Sequence, residues 1–275
     1  MSIRLTGKNL SRGEGTAASQ VQQDLERPTA IQIFAQVEKN ARQELQRPVR
    51  SLAVSGFAGG VTMGLTGLAT AIARAELGTS GLAHFVATLL YPVGFIAVIL
   101  GRAQLFTENT LYPVALVLSE RRHYLATLRL WAIVLVCNCI GTLAFAALAV
   151  RTDALQPKYV DSLVAIGLEI ANHPLSTIFW SAIIGGWIIA LVAWLVSGSH
   201  SISGSMMLIW LLAFIVGLGH FAHCVASSGE VLCAVLHHQL PATSYLRRLW
   251  PAVLGNVVGG VGLVTLLEYG QTAEE

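Results

Sequence analysis

Residues 217–230 read Gly-Leu-Gly-His-Phe-Ala-His-Cys-Val-Ala-Ser-Ser-Gly-Glu and lie inside an apolar stretch that spans residues 205–237. A simple transmembrane helix needs about 20 apolar residues, and this stretch is longer and interrupted by polar side chains. A second long stretch, residues 82–119, is interrupted by Gln-Leu-Phe-Thr-Glu-Asn at residues 104–109. Non-helical backbone is tolerated at membrane depth only where protein buries it or where it lines a water-filled cavity. Both stretches therefore predict a broken helix beside a solute path.

The rest of the chain has the composition of a membrane protein. Only 12% of its residues are charged and 54% are hydrophobic, whereas a soluble domain carries about 25% charged residues. Four further apolar stretches lie at residues 51–73, 126–150, 175–197 and 249–268. We therefore expect an all-α integral membrane domain of six transmembrane helices over residues 49–268, with the second and fifth helices broken. The net charge of +2 gives no indication of a nucleic-acid partner.

The two halves of the chain resemble each other. Arg129-Leu130-Trp131 opens the third apolar stretch and Arg248-Leu249-Trp250 opens the sixth, and each is followed by an asparagine, Asn138 or Asn256. The two asparagines are 118 residues apart. Three spans per half require that the halves be inverted across the membrane, an arrangement that places a transport site between the interrupted helices. The pattern predicts an inverted 3+3 repeat.

The chain ends are more polar. Residues 1–30 have the composition of a mobile tail, and residues 30–47 have the periodicity of an amphipathic helix, either resting on the membrane surface or acting as a plug under the pore mouth. We predict a cytoplasmic tail over residues 1–48 and another over residues 269–275, because Lys and Arg are more numerous on the side of the termini. Residues 151–174 are expected to form a polar loop.

Four motifs, taken in order, resemble the formate/nitrite transporter family over residues 48–268. They are Ala58-Gly59-Gly60 with Gly64, Leu105-Phe106-Thr107 with Asn109, His223-Cys224-Val225-Ala226, and Leu249 to Gly260. The resemblance implies an aquaporin-like fold, assembly as a homopentamer with one pore in each protomer, and no cofactor. It also implies passage of small monovalent anions such as formate or nitrite, often with a proton, across a membrane that we expect to be the bacterial inner membrane.

The resemblance also implies roles for individual residues. His223 takes the place of the residue that meets the permeant solute at the pore centre, and Thr107 faces it from the other broken helix. The hydrophobic constrictions on either side would be formed by Tyr91, Phe95, Val216, Leu105 and Phe106. Ser227 stands where the family has an asparagine.

The chemistry of the side chains allows either a functional or a structural role at several of these positions. A histidine can exchange a proton with a weak acid near neutral pH, but a buried histidine can also serve only as a hydrogen-bonding group in a helix bundle. Glu108 and Asn109 are expected to cap the second half-helix, since such residues suit helix starts. Asn138 and Asn256 are expected to bind backbone groups rather than solute.

Glu169 marks the main departure from the family pattern, because it stands near the position where the family has a lysine that attracts anions. One interpretation is a vestibule carboxylate that favours neutral or cationic solutes, such as ammonium; the other is a solvated loop residue. No catalytic set, nucleotide motif or metal-ligand spacing is evident in the sequence, so neither an enzyme nor a metal site is predicted. A closed protein with a structural or sensory role is a further alternative.

Overall fold

The fold is given by a computed structural model that describes residues 28–272, and the regular secondary structure of this part of the chain is entirely helical. The predicted mobile tail lies almost wholly outside the described residues, as do residues 273–275. The described part contains twelve α-helices: α1 (Ala30–Gln46), α2 (Val49–Leu77), α3 (Gly81–Thr88), α4 (Val93–Leu100), α5 (Tyr112–Glu120), α6 (Tyr124–Arg151), α7 (Pro157–Asn172), α8 (Leu175–Ser197), α9 (Ile202–Leu218), α10 (Ala226–Leu236), α11 (Ala242–Val257) and α12 (Leu266–Thr272). A short 3-10 helix, Glu108–Thr110, precedes α5. A π-helical segment, Val258–Thr265, joins α11 to α12.

Five helical segments between residues 28 and 272 are long and apolar enough to cross a membrane. They are Val49–Leu77, Gly81–Leu100, Tyr124–Arg151, Leu175–Ser197 and Ala242–Thr272. The apolar helices α9 and α10 are each shorter, because the predicted interruption divides their stretch. Many of the large apolar side chains of these helices are exposed on the surface of the single chain, as expected for helices that face lipid.

The amphipathic helix predicted for residues 30–47 is present as α1. Thr29 and Gln32 form a reciprocal capping box at its start, and the helix ends at Gln46, ahead of Pro48. Its buried face, Val37, Ala41 and Leu45, packs on α5 and α8.

The prediction that residues 151–174 form a loop is wrong. The structure has helix α7 there, and its apolar side chains, among them Leu163, Ile166 and Ala171, lie on one buried face. These residues recur at helical spacing among polar ones, which is the pattern of an amphipathic helix. The charged residues of the segment obscured that periodicity in the sequence.

Each half of the bundle contains one pair of closely packed long helices. In the first half α2 packs along α6, and in the second half α8 packs along α11 and the π-helical segment. Gly60 lies directly against the main chain of Asn138, and Gly186 lies directly against the main chain of Asn256. A side chain at either glycine would collide with backbone, so these small residues permit the close approach, as they often do in membranes.

Both broken helices end in the same way. Arg102 after α4 and His220 after α9 have left-handed backbone, with φ of 58° and 51°. The next residue in each case, Ala103 or Phe221, donates its N–H to a carbonyl five residues earlier, at 3.1 Å and 3.0 Å. This is the Schellman arrangement that terminates helices. It reverses the chain, so that each loop returns to the interior before the next half-helix begins.

Candidate functional site

The two returning loops meet at the centre of the fold. Thr107 Oγ1 and His223 Nε2 are 2.8 Å apart, although the residues are 116 positions apart in sequence. Neither residue has any exposed surface. The structure therefore brings together the two residues that the sequence analysis placed at the pore centre.

The hydrogen bonds around His223 determine where its proton lies. The Ala226 N–H donates to Nδ1 at 3.1 Å, so Nδ1 is the acceptor nitrogen. In the neutral ring the proton is then on Nε2, which donates to Thr107 Oγ1. The Thr107 hydroxyl accepts that bond and retains a hydrogen that it can donate. One hydroxyl donor is thus available at the centre of the fold.

Asn138 holds the first loop in place from α6. Its Oδ1 accepts from the Phe106 N–H at 2.9 Å, and its Nδ2 donates to the carbonyls of Gln104 at 2.8 Å and Gly56 at 2.7 Å. A single buried side chain thereby satisfies two loop backbone groups that have no helical partner, those of Phe106 and Gln104, and attaches them to the Gly56 carbonyl of α2. Asn138 supports the break and does not reach the Thr107–His223 contact.

Asn256 does the same for the second loop from α11. Its Oδ1 accepts from the Cys224 N–H at 2.9 Å, and its Nδ2 donates to the carbonyls of Ala222 at 3.0 Å and Ala182 at 2.8 Å. The loop groups bound by the two asparagines are separated by 118 residues, as are the asparagines themselves. The two loops therefore share one mode of attachment.

Apolar side chains surround the central contact. The ring of Phe95 meets the His223 ring edge-on with 5.0 Å between centroids, and Tyr91 lies against Phe95 at 5.7 Å. Val216 and Leu105 are fully buried. Phe106, also predicted to belong to a constriction, packs against Trp131; like Phe95, it lines neither of the cavities described next.

A cavity of about 250 Å³ lies on the side of α7 and is called here the α7-side cavity. It extends from Glu169 and His173 down to Val216 and Cys224, beside His223. Tyr91 and Ser227 also line it. The Ser227 N–H donates to the His223 carbonyl at 2.9 Å, as an ordinary helical bond.

A second cavity of about 820 Å³ lies on the side of α1 and is called the α1-side cavity. It is bordered by α1, by the end of α8 and by the start of α9, and Leu105 and Glu108 line its inner part. Gln104 connects it to α1, since its Nε2 donates to Glu44 Oε2 at 2.8 Å. The two cavities approach the Thr107–His223 contact from opposite sides.

Glu169 lies in the α7-side cavity but is not an isolated charge. Arg74, at the end of α2, donates to both carboxylate oxygens, at 2.9 Å and 2.6 Å. This guanidinium lowers the pKa of Glu169 below its ordinary value, and burial opposes the effect only partly. Arg248 lines the same cavity, where it donates to the carbonyls of Ser244 and Ala171.

The sequence did not indicate Arg74 or Arg248 as partners of Glu169, because both lie outside the chain segment around it, residues 159–246, which contains no Lys or Arg. The signal for them was the expected topology, which puts the end of α2, with Arg74, and the first half of α11, with Arg248, on the same side as α7. The cavity that contains Glu169 thus also contains two guanidinium groups.

The prediction that Glu108 and Asn109 cap the second half-helix is wrong. Helix α5 begins without a side-chain cap. The Asn109 amide instead donates to Gln104 Oε1 at 2.9 Å and to the Leu105 carbonyl at 3.1 Å, closing the loop on itself. The loop folds back so tightly that Asn109 faces the preceding turn rather than the N–H groups of α5.

No group of three His, Cys, Asp or Glu residues with metal-binding geometry occurs between residues 28 and 272. The four cysteines are free thiols in the structure.

Comparison with known proteins identifies the family of this chain. The sequence model described as "Formate/nitrite transporter" matches residues 31–270. The inner membrane protein YfdC of Escherichia coli (strain K12) is 31% identical over 249 residues, covering 88% of this chain and 78% of its own length. Two solved structures share the fold, each at 17% identity and covering 98% of the solved chain: an FNT family ion channel with a TM-score of 0.79 over 87% of this chain, and a pentameric formate channel with formate bound with a TM-score of 0.70 over 82%.

The sequence of this chain thus matches one family over most of its length. The same chain contains the broken helices, the two loops held by asparagines and the buried Thr107–His223 contact. The chain belongs to the formate/nitrite transporter family, a family of membrane transporters and channels.

Proposed function

We propose that each protomer conducts a small monovalent anion, such as formate or nitrite, through a pore that passes the Thr107–His223 contact. The observation that carries this proposal is the position of that contact, because it separates two cavities that approach from opposite sides. The solved formate channel of the same fold supports the choice of solute.

The membrane topology that we propose has six spans in an inverted 3+3 repeat. In it, α3, α4 and α5 together form the second span, and α9 and α10 form the fifth. The loops support this topology because equivalent residues of the two halves have the same spacing. Arg102 and His220, which have left-handed backbone, are 118 residues apart, and so are Asn138 and Asn256, which hold the loops. An even number of spans puts both termini on one side, which we assign to the cytoplasm of a bacterial inner membrane.

The central contact suggests how a solute passes. An anion in the α7-side cavity meets Tyr91 and Val216, and Phe95 lies between Tyr91 and His223. The apolar surface of these side chains disfavours a bare charge. The Thr107 hydroxyl offers a hydrogen-bond donor beyond them. A solute that acquires a proton loses its charge before this passage, so transport of the anion with a proton is the mechanism that fits this geometry best. The four constriction residues in this scheme are Tyr91, Phe95, Val216 and Leu105.

The assembly that we propose is a homopentamer embedded in lipid, as in the solved pentameric formate channel. Each protomer would conduct independently, because both cavities are built within one chain. Helix α1 borders the α1-side cavity with Gln32, Gln36 and Asn40, which fits a cover over the pore mouth.

A neutral or cationic solute such as ammonium is the second candidate. The sequence supported this candidate mainly through the negative charge of Glu169. That charge is compensated in the structure, because Glu169 forms an ion pair with Arg74. The anion is therefore the better choice, and the test includes both.

The test is solute flux into proteoliposomes that contain the purified protein, with formate, nitrite and ammonium compared at pH 5.5 and 7.5. Formate or nitrite uptake above that of protein-free vesicles is expected, with faster uptake at pH 5.5 if a proton accompanies the anion. Ammonium uptake without anion uptake would overturn the proposal in favour of the second candidate.

A further inference from the structure

Two buried carboxyl groups, one in each cavity, take no part in the site described so far. Glu230 on α10 is 5% exposed and lines the α7-side cavity, and Glu108 is 8% exposed and lines the α1-side cavity. Neither carboxyl group has a hydrogen-bond or ion-pair partner within residues 28–272. Burying a carboxyl group without a partner costs free energy and is uncommon. We therefore expect both groups to interact with a solute that enters the cavities.

Both carboxyl groups are adjacent to the central contact. Glu108 directly follows Thr107 in sequence. Glu230 lies one helical turn beyond Ala226, whose N–H binds His223, and four residues correspond to about 6 Å along a helix. The two glutamates therefore flank the Thr107–His223 pair on opposite sides of the pore.

His223 itself is badly placed to give a proton to a passing anion. Its Nδ1 already accepts the Ala226 N–H, and its Nε2 already faces Thr107 Oγ1. A second ring proton on Nδ1 would break the first of these bonds. A proton that accompanies the anion therefore needs a donor whose position is open to the cavity.

The surroundings of both glutamates are mixed in charge. The charged and titratable groups nearest to Glu230 are Arg74, Glu169, Tyr91, Cys233, Tyr245 and Arg248, with His84, His173 and His220 nearer the mouth of the same cavity. Those nearest to Glu108 are Arg102, Glu44 and Tyr112. None of these groups hydrogen-bonds to either glutamate, so each carboxyl remains free to bind a solute.

We propose that Glu230 and Glu108 are the proton-exchanging groups of the pore, one in each cavity. This inference rests on the proposed transport of a weak-acid anion. A carboxylate solute takes the proton from the Glu230 carboxyl group and leaves Glu230 ionised. The neutral acid passes Phe95, Thr107 and His223, and then returns the proton to Glu108 after that carboxyl group has released its own proton to water in the α1-side cavity. Water in each cavity restores the starting state, so one anion and one proton cross together.

The test uses Glu230→Gln and Glu108→Gln, which keep size and polarity but cannot exchange a proton. Glu76→Gln is the matched control, because Glu76 is exposed and bound to Lys158 and Tyr159, away from both cavities. Formate uptake and internal pH are followed together in proteoliposomes. We expect one proton per formate in the wild type and in the control, and uptake lower by about 100-fold in each Gln variant, the lower end of what a positioned proton donor contributes.

Asp at either position, which restores a carboxyl group, should recover much of the lost uptake if the proton is what matters. Retained rate and stoichiometry in both Gln variants would overturn the inference, and so would a loss that Asp does not restore in protein of unchanged oligomeric size. If the wild type carries no formate or nitrite, the proposed function fails instead, and the two failures are thereby distinguished.

Discussion

Arg74 and Glu169 are 95 residues apart in sequence and form a two-pronged ion pair at the α7-side cavity. The guanidinium side chain is 15% exposed and the carboxylate 54% exposed. The pair joins the end of α2 to α7 and leaves the cavity mouth without the isolated negative charge that the sequence suggested.

Replacing Glu169 with Gln should increase anion uptake. The change leaves the Arg74 guanidinium uncompensated beside the solute path. A unit charge about 4 Å away contributes about 1 kcal/mol in water, so we expect roughly a two- to fivefold increase in formate uptake at low ionic strength. The gain should decrease as salt is added, because salt screens exposed charges. Arg74→Gln should lower uptake, and an equal change in both variants would contradict this account.

The contribution of Glu169 to stability should not vary between pH 5.5 and 7.5. Arg74 lowers the pKa of Glu169 in the folded protein, so the stabilisation is complete above the ordinary glutamate value near 4.3. It is lost only as the pH falls through the lowered folded value. The difference in melting temperature between wild type and Glu169→Gln should be constant from pH 5.5 to 7.5 and shrink below about pH 4. A difference that changes with pH between 5.5 and 7.5 would assign the pair a different role.

Replacing Thr107 with Val should slow transport and leave the fold intact. Valine has nearly the same shape but cannot donate the hydroxyl hydrogen that His223 leaves available. The neutral acid accepts an ordinary hydrogen bond, which contributes about 0.5–1.5 kcal/mol, so formate uptake should fall roughly two- to tenfold. Thr152→Val, at an exposed turn between α6 and α7, serves as the control. Uptake equal to that of the control would remove Thr107 from the pathway.

Replacing Asn138 or Asn256 with Ala should loosen one loop and leave the other in place. Each asparagine satisfies two loop backbone groups that have no other partner, and each buried group left unsatisfied costs roughly 1–3 kcal/mol. Hydrogen–deuterium exchange should accelerate in residues 101–107 of the Asn138 variant and in residues 219–225 of the Asn256 variant. Faster exchange in both loops of each variant would contradict this prediction, because it would mean that Asn138 and Asn256 do not hold their loops independently.

The interrupted helices could be predicted because they rest on local signals, and the resemblance to the family implied the pairing of Thr107 with His223. Polar residues within apolar stretches mark the interruptions, and the spacing between the two halves aligns them. The roles of Asn138 and Asn256 were expected as well, since asparagines buried in transmembrane helices hydrogen-bond to backbone groups. These features follow from what a membrane imposes on any chain.

Other features depend on contacts that no local pattern records. The Arg74–Glu169 pair joins two helices distant in sequence, so a search confined to the neighbourhood of Glu169 could not find it. Glu108 and Asn109 looked like helix caps, but the reversal at Arg102 turns them towards the loop and the cavity. Phe106 lies next to Thr107 in sequence, yet its ring points to Trp131.

The most direct test of the central claim is formate uptake by His223→Phe protein in proteoliposomes, compared with wild-type protein of the same oligomeric size. The substitution removes both hydrogen bonds of the ring and fills the contact with an apolar side chain. We expect uptake to fall to the level of protein-free vesicles. Uptake at the wild-type rate would show that the solute path does not pass the Thr107–His223 contact, and would contradict the proposed pore.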